Sequence, residues 1–257
     1  MAIHVFLFPH QDDEAPVFLE IERLLQTGDP LAIVYLTSGA RSGEPELRRT
    51  AESLDVLGRL GVPRESIHFI GSEMKVPDGD LMSHLDPLFD WITALIARSG
   101  GLASLHMPAW EGGHQDHDAA HLIGVALADK HDALSRSFQF PYYHGRNLPG
   151  ILFRTLSPLA PNGPVRLDHI GWGQRLRYLG HLTRYRSQLT TWIGLGPFFV
   201  LHYLFSGTQV RQPVSAKRVF ERPHEGPMLY ERRNFSDYKR FQAKADEFRQ
   251  RHLAQPA

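Results

Sequence analysis

Short apolar runs alternate with longer amphipathic segments through the first 145 residues of the chain. The apolar runs predict strands at residues 3–8, 31–37, 66–70, 102–107 and 138–143. The segments between them carry apolar residues at helical spacing and predict helices at residues 15–26, 45–60, 83–99 and 117–129. Strands that alternate with helices form a parallel sheet covered on both faces. We therefore predict a Rossmann-like, doubly wound α/β fold with a mostly parallel sheet.

The pattern changes after residue 147. The segments that follow are a Pro/Gly-rich loop at residues 148–164, a basic helix at residues 175–188, an apolar stretch at residues 192–205 and a charged surface helix at residues 235–252. We therefore divide the chain into a Rossmann-like core at residues 1–147 and a C-terminal extension at residues 148–257. We expect the extension to pack on the core, so that the whole chain is a single domain.

The composition excludes some partners and some kinds of site. Lys plus Arg and Asp plus Glu both number 28, which gives a net charge of +0. Such a balance lacks the basic surface typical of nucleic-acid binding, so we expect no nucleic-acid partner. The chain has no cysteine. Disulfides and thiolate ligands are thereby excluded, any transition metal must be held by imidazole and carboxylate groups, and a reducing cytoplasm fits this composition.

Neither apolar stretch of the chain predicts a segment that crosses a membrane. Residues 3–8 lack a basic region before them and a small-residue cleavage site after them, which indicates a buried strand and not a signal peptide. Residues 192–205 are interrupted by glycines, a proline and a histidine, and are shorter than the roughly 20 residues that a spanning helix needs. We expect a cytoplasmic protein that is soluble or peripheral to the membrane.

Polar residues follow the first predicted strand, in the segment HQDDE at residues 10–14. Open α/β sheets bind ligands beyond the carboxyl ends of their strands. His10 and Asp13 are three residues apart, so an imidazole and a carboxylate can reach one metal ion while Asp12 points elsewhere. The alternative is an acidic helix N-terminus, where Asp12, Asp13 and Glu14 only complement the helix dipole.

A second polar cluster, GGHQDH at residues 112–117, follows the fourth predicted strand. In a doubly wound sheet of strand order 3-2-1-4-5 the fourth strand lies beside the first, so the two clusters face each other. The alternative is a polar helix start, with Asp116 as an N-terminal charge and His114 and His117 on the surface. His121, one turn later, is expected to be a surface or supporting residue and not a metal ligand.

Together the two clusters resemble the motifs of the zinc-dependent N-deacetylases of the PIG-L or LmbE-like family. Members carry a His-x-Asp-Asp-Glu motif after the first strand and a His-x-Asp-His motif after the fourth. They act on N-acetylglucosaminyl-phosphatidylinositol, on glycopeptide antibiotics and on related N-acyl sugars. The segments LTSG at residues 36–39, RTAE at residues 49–52 and LGV at residues 60–62 also resemble the family. The resemblance covers about the first 145 residues.

The resemblance implies one zinc ion per chain, held by His10, Asp13 and His117. Two imidazoles and one carboxylate on one side of the metal leave room for water. Asp12 would be the general base, which takes a proton from the water that attacks the acetamide carbonyl. His114 would stabilise the tetrahedral oxyanion or protonate the departing amine.

The resemblance also implies roles around these residues. Asp116 would orient a histidine, and Arg49 corresponds to the family's sugar-contacting arginine. The alternative for Arg49 is a solvated helix residue paired with Glu46 or Glu52. The loop at residues 38–44 is expected to border the sugar pocket.

One departure from the family lies in the second cluster, where Gly112 occupies a position at which some relatives have tyrosine. Tyr142, Tyr143 and His144 are candidates for that role by location only, and the alternative is that they pack in the core.

The expected activity is hydrolysis of the acetamide of an N-acetylated sugar, which releases acetate and the free amine. The alternatives are a metal-dependent glycan-binding protein without turnover, and a zinc enzyme that acts on another amide or on a phosphoester. Residues 175–205 combine arginines with aromatic residues and have three interpretations: they cover the sugar, dock on a bilayer, or pack as a subdomain.

Overall fold

A seven-stranded sheet forms the centre of the computed structural model. The structure describes residues 1–40 and 46–254, and for Thr190 it describes the backbone only. The strands among the described residues are β1 (Ile3–Phe8), β2 (Leu31–Tyr35), β3 (Ile67–His68), β4 (Leu102–Pro108), β5 (Phe138–Phe140), β6 (Tyr143–His144), β7 (Arg154–Thr155), β8 (Arg166–His169) and β9 (Thr208–Pro213). In the large sheet the order is β3-β2-β1-β4-β5-β9-β8, while β6 and β7 form a separate antiparallel pair.

The first five strands are parallel, and β9 and β8 continue the sheet as antiparallel strands. The predicted fold class and the predicted strand order 3-2-1-4-5 are therefore confirmed. Residues 5–8 of β1 are fully buried, as expected for a central parallel strand with both faces covered. Because β8 and β9 lie beyond residue 147, the sheet runs across the division made from the sequence, and that division stays a prediction.

Helices cover both faces of the sheet and bury an apolar cluster on each side. They are α1 (Phe18–Thr27), α2 (Glu46–Leu60), α3 (Ile70–Glu73), α4 (Leu85–Arg98), α5 (Gln115–Lys130), α6 (Trp172–Leu182), α7 (Leu189–Leu201), α8 (Leu229–Arg232) and α9 (Tyr238–His252). Residues 115–128 of α5 are buried on every side, because this helix packs against β4, α4 and α9.

Several predicted boundaries differ from the structure. The predicted strand at residues 138–143 ends at Phe140, since Pro141 has no N–H for a sheet hydrogen bond, and Tyr143 pairs with β7. The predicted helix at residues 175–188 is divided into α6 and a 3₁₀ turn at Arg186–Gln188. The apolar stretch continues from α7 into a π-helical turn at His202–Ser206.

Residues 41–45 lie outside the described residues. They include most of the loop predicted at residues 38–44 and the first residue of the helix predicted at residues 45–60. Among the described residues no helix is both long enough and apolar enough to cross a membrane.

Candidate metal centre

The two polar clusters meet at the carboxyl ends of the adjacent strands β1 and β4. The ring of His10 lies 4.8 Å from the ring of His114 and 5.6 Å from the ring of His117, measured between centroids. All three histidines are buried, so the alternative that placed His114 and His117 on the surface is wrong. The cause is α5, which begins at Gln115 after the short loop that follows β4 and whose first turn is buried.

His10, Asp13 and His117 form one group of possible metal ligands. The Nδ1 of His10 lies 3.2 Å from the Oδ2 of Asp13, and the Nε2 of His117 lies 3.2 Å from the Oδ1 of Asp13. One donor atom from each residue lies within 4.8 Å of the others. Two imidazoles and one carboxylate are a donor set that zinc accepts, so the residues fit the metal that the resemblance implies.

A second group shares His10 and adds two residues on its other side. The Oδ1 of Asp78 lies 3.2 Å from the Nε2 of His10 and 3.8 Å from the Nε2 of His114. Asp78 lies in the loop between α3 and α4 and was not predicted from the sequence. The available signal was a carboxylate in the turn PDGD that follows the third strand, at the same edge of the sheet as the motifs.

The charges of this centre compensate one another. Burial by itself would raise the pKa of the Asp13 carboxyl, but His117 and His10 beside it hold that pKa well below its usual range. Burial would likewise lower the pKa of His10, but Asp78 and Asp13 raise it well above its usual value. A buried carboxylate beside imidazoles is therefore kept ionised, as a metal ligand must be.

Asp12 lies between His10 and Asp13 in the sequence and has a backbone conformation that few residues adopt. Its φ angle is 110°, and its N–H donates to the Oε2 of Glu14 at 3.0 Å. Such strain persists only where the surroundings hold it, and it is common at functional sites. Burial raises the pKa of the Asp12 carboxyl well above its usual value, although the nearby guanidinium of Arg49 lowers it.

Arg49 is buried and holds the loop that carries Asp12. Its Nη2 donates to the carbonyl of Gln11 at 3.1 Å and lies 3.4 Å from the Oδ1 of Asp12, while its Nη1 donates to the carbonyl of Gly39. Reorienting the amide of Gln188 would place its oxygen 2.9 Å from the Nε of Arg49. The alternative of a solvated helix arginine is therefore wrong.

Asp116 and His114 have defined hydrogen-bond partners. Asp116 accepts hydrogen bonds from the N–H groups of Gly79 at 2.6 Å and Leu81 at 3.2 Å, and its Oδ2 lies 3.1 Å from the Nε2 of His10. The N–H of Asp116 in turn donates to the Nδ1 of His114 at 3.2 Å. Since burial lowers the pKa of His114 to about 4, its ring is neutral with the proton on Nε2.

Tyr142 and Tyr143 both pack against His117, and the buried side chain of Glu111 holds their backbone in place. Their ring centroids lie 5.2 and 5.6 Å from that of His117, and their N–H groups donate to the Oε1 of Glu111, each at 2.8 Å. Tyr142 also donates to the carbonyl of Asp12 at 3.3 Å. His144 instead contacts the carbonyl of Ser157.

The structure explains why position 112 is glycine. Gly112 has a φ angle of 69°, and a Cβ atom there would lie 2.3 Å from the Sδ of Met228. A tyrosine at this position would require Met228 to move. His121, further along α5, is buried and its Nδ1 contacts the carbonyl of Pro108 at 2.8 Å.

The group His10, Asp13 and His117 opens into a cavity of about 630 Å³. The residues that line the cavity are His10, Asp12, Asp13, Arg49, Asp78, His114, His117, Tyr142, Tyr143, Phe153, Ser187, Gln188, Thr191, Gly194, Leu195, Arg233 and Phe235. The seven residues to which the family resemblance assigned a role all lie at this end of the sheet, although Asp116 does not reach the cavity surface. The cavity size lies within the roughly 300–1,000 Å³ typical of small-molecule sites.

One wall of the cavity comes from the start of α7. Glu52 on α2 accepts hydrogen bonds from the N–H of Ser187 at 3.0 and 3.1 Å and from its hydroxyl at 2.5 Å. The aromatic residues that follow divide into two sets. Trp192, Phe199 and Tyr203 are buried, as the packing interpretation expected, whereas Phe198 and Phe205 are exposed.

Comparison with known proteins places this geometry in context. Residues 5–128 match the model of the family described as PIG-L: GlcNAc-PI de-N-acetylase. No curated protein matches the chain by sequence.

Solved structures match the chain by fold at low sequence identity. The A40926 pseudoaglycone deacetylase Dbv21 is 17% identical, with a TM-score of 0.60, over 83% of this chain and 97% of that one. The zinc-inhibited form of teicoplanin deacetylase Orf2 is 15% identical, with a TM-score of 0.62, over 83% and 98%. The N,N'-diacetylchitobiose deacetylase from Pyrococcus horikoshii is 16% identical, with a TM-score of 0.53, over 83% of each chain.

Proposed function

We propose that this chain, whose residues 5–128 belong to the PIG-L family of deacetylases, is a zinc-dependent enzyme that hydrolyses the acetamide of an N-acetylated sugar. The observation that carries the proposal is the group His10, Asp13 and His117, buried at the base of a cavity with the Asp12 carboxylate beside it. The structural relatives named above are described as deacetylases of A40926 pseudoaglycone, of teicoplanin and of N,N'-diacetylchitobiose, which supports an N-acylated sugar as the substrate.

The metal would be held by His10, Asp13 and His117, and zinc bound there would polarise the acetamide carbonyl and acidify the attacking water. Asp12 accepts the proton that this water loses when it attacks the carbonyl carbon. Burial makes the Asp12 carboxylate a stronger base, and Arg49 keeps it in place. The same carboxyl then donates the proton to the departing nitrogen, so that one water and one amide become acetic acid and an amine. The acid then gives its proton to the amine, which leaves acetate and an ammonium group.

The tautomer of His114 supports a role at the oxyanion. Because its Nδ1 accepts the N–H of Asp116, the proton of the neutral ring lies on Nε2, the atom 3.8 Å from the Oδ1 of Asp78. An N–H donor in a buried cavity stabilises the negative oxygen of a tetrahedral intermediate. Asp116 has a supporting role, since it holds the ring of His10 through a contact of 3.1 Å.

The test measures acetate release by the zinc-loaded chain. The substrates are N-acetylglucosamine, N,N'-diacetylchitobiose and, as a non-sugar comparison, an N-acetylated amino acid. We expect acetate from at least one sugar and little from the amino acid. Release from the amino acid alone would indicate a general amidase. Saturable sugar binding without any acetate would indicate a glycan-binding protein, and either result would contradict the proposal.

A further inference from the structure

The helix α7 is apolar around its whole circumference although it lies at the surface. No Asp, Glu, Lys or Arg occurs between Arg186 and Arg211. Its inner side, with Trp192, Leu195 and Phe199, is buried against the core. A helix that is hydrophobic on all sides is normally enclosed by protein or lipid, so the outer side of α7 requires an explanation.

The outer side of α7 carries a continuous apolar stripe. Leu189, Ile193, Pro197 and Leu201 recur every four residues, which places them on one side of the helix, and all four are exposed. Phe205, four residues further in the π-helical turn, is 82% exposed. We call these five residues the outer face. An unshielded stripe of this length is unusual for the surface of a soluble monomer.

The outer face has apolar neighbours. Phe198, on the adjacent side of α7, packs its ring 5.6 Å from that of Phe153, and Phe153 follows the exposed residues Ile151 and Leu152. At the other end, Arg175 contacts the carbonyl of Leu204 and lies over the ring of the exposed Trp172 at 4.5 Å. The apolar surface therefore extends from the loop before β7 to the start of α6.

The segment that carries this surface is positively charged, although two of its arginines are paired with acidic residues of other helices, Arg177 with Glu22 and Arg184 with Asp55. Residues 145–207 contain seven arginines, no lysine and one acidic residue, Asp168. Asp168 is paired with Arg23 and Arg211 on the far edge of the sheet. Arg154 and Arg186 are exposed beside the apolar surface. An apolar stripe bordered by arginines complements an anionic lipid surface, where arginines contact headgroups and apolar side chains enter the acyl boundary.

We propose that the outer face docks the protein peripherally on an anionic bilayer. The same helix forms one wall of the catalytic cavity through Thr191, Gly194 and Leu195, so docking brings the cavity mouth close to the lipid surface. If the proposed function holds, the deacetylated sugar is one that is presented at a membrane. Binding itself does not depend on turnover, and the two proposals can therefore fail separately.

The experiment is flotation of the full chain with vesicles made of equal parts phosphatidylserine and phosphatidylcholine, compared with phosphatidylcholine alone. The variant Ile193→Ser/Phe205→Ser removes two exposed side chains that do not line the cavity. The matched control is Leu47→Ser on α2, because Leu47 is 86% exposed, close to the 82% of Phe205. A third variant, Arg154→Gln/Arg186→Gln, tests the charge. Circular dichroism verifies that each variant is folded.

We expect the unmodified chain and Leu47→Ser to float with anionic vesicles at low salt and to remain largely unbound at high salt. The serine variant should bind roughly tenfold more weakly for each side chain lost. The glutamine variant should bind roughly fivefold more weakly for each arginine lost. Acetate release from a water-soluble N-acetyl sugar, measured without vesicles, should be the same in all four proteins.

Three results would overturn the inference. The first is a folded chain that does not float with anionic vesicles at low salt. The second is equal, salt-insensitive binding to phosphatidylcholine alone. The third is a dimer in light scattering that Ile193→Ser/Phe205→Ser dissociates while no chain floats, because the outer face would then be covered by a second copy. Loss of sugar deacetylation with intact flotation would contradict the proposed function and leave docking standing.

Discussion

The phenol of Tyr185 donates a hydrogen bond of 2.6 Å to the buried carboxylate of Glu14. Tyr35 donates to the same Oε1 at 2.9 Å, and the other oxygen of Glu14 accepts the N–H of Asp12. Tyr185 belongs to the segment between α6 and α7, whereas Glu14 closes the first motif. This contact therefore connects the segment that forms a cavity wall with the loop that carries the proposed base and two proposed ligands.

Replacing Tyr185 by Phe should lower the free energy of unfolding by about 1–3 kcal/mol, because a buried carboxylate loses a donor. Tyr230→Phe is the matched control. The hydroxyl of Tyr230 is buried and has no hydrogen-bond partner among the described residues, so its removal should change stability by less than about 0.5 kcal/mol. Urea unfolding measures both values. Equal effects of the two substitutions would show that the contact with Glu14 contributes nothing specific.

Asp12→Asn should reduce the rate of acetate release about 100-fold to 10,000-fold while metal binding is retained. The amide cannot accept the proton of the attacking water, but asparagine tolerates the positive φ angle that this position requires. Asp13→Asn, one residue away, should lose the metal instead. Activity and metal content are measured on the same samples. Near-normal turnover in Asp12→Asn would remove this residue from the mechanism.

Elemental analysis should find one zinc per chain. The zinc should be lost in His117→Ala and kept in the control His169→Ala, because His169 is exposed on β8. Asp78→Asn decides between the two groups of ligands, and we expect it to retain zinc. Removing zinc with a chelator should lower the melting temperature by roughly 5 °C or more, since a ligand at 100 times its Kd stabilises the fold by about 2.7 kcal/mol. Loss of zinc in Asp78→Asn would favour the group His10, Asp78 and His114.

The stability of the protein should fall in acid partly because of His106, which is remote from the cavity. Burial, with smaller contributions from His4 and Arg211, lowers the pKa of His106 to about 3. Between the ordinary value of 6.5 and about 3 the unfolded chain binds a proton that the folded chain does not, so stability decreases as the pH falls through this window.

Within that window His106 should change the free energy of unfolding by about 1.4 kcal/mol per pH unit. His106→Phe keeps the stacking on Phe6, whose ring centroid lies 4.4 Å away, and removes the titrating group. Its unfolding free energy should therefore depend less on pH than that of the unmodified chain, which denaturant unfolding at a series of pH values can measure. Parallel pH curves for the two proteins would disagree with this assignment.

The sequence by itself determined the fold class and the place of the site. Apolar runs that alternate with amphipathic helices allow few topologies, and the right-handed crossover rule reduces them further. The strand order that follows puts residues 10–14 beside residues 112–117, and the structure has both clusters at that edge. Local signals were sufficient here because each motif comes within a few residues of the end of a strand, and the strand ends position it.

Only the tertiary structure decided which distant residues complete the site. Asp78 and Tyr185 reach the first motif across many intervening residues, and Gln188 in the same way reaches Arg49. These residues lie in turns and at helix starts that have no periodic pattern. The antiparallel edge formed by β8 and β9 was also decided by the tertiary structure. The pairing of β9 with β5 depends on the path that the chain takes after residue 147. Apolar periodicity indicates which side of an element is buried, but it does not indicate which partner fills the space opposite. Packing decides that, because a buried polar atom is stable only where its hydrogen-bond partner meets it.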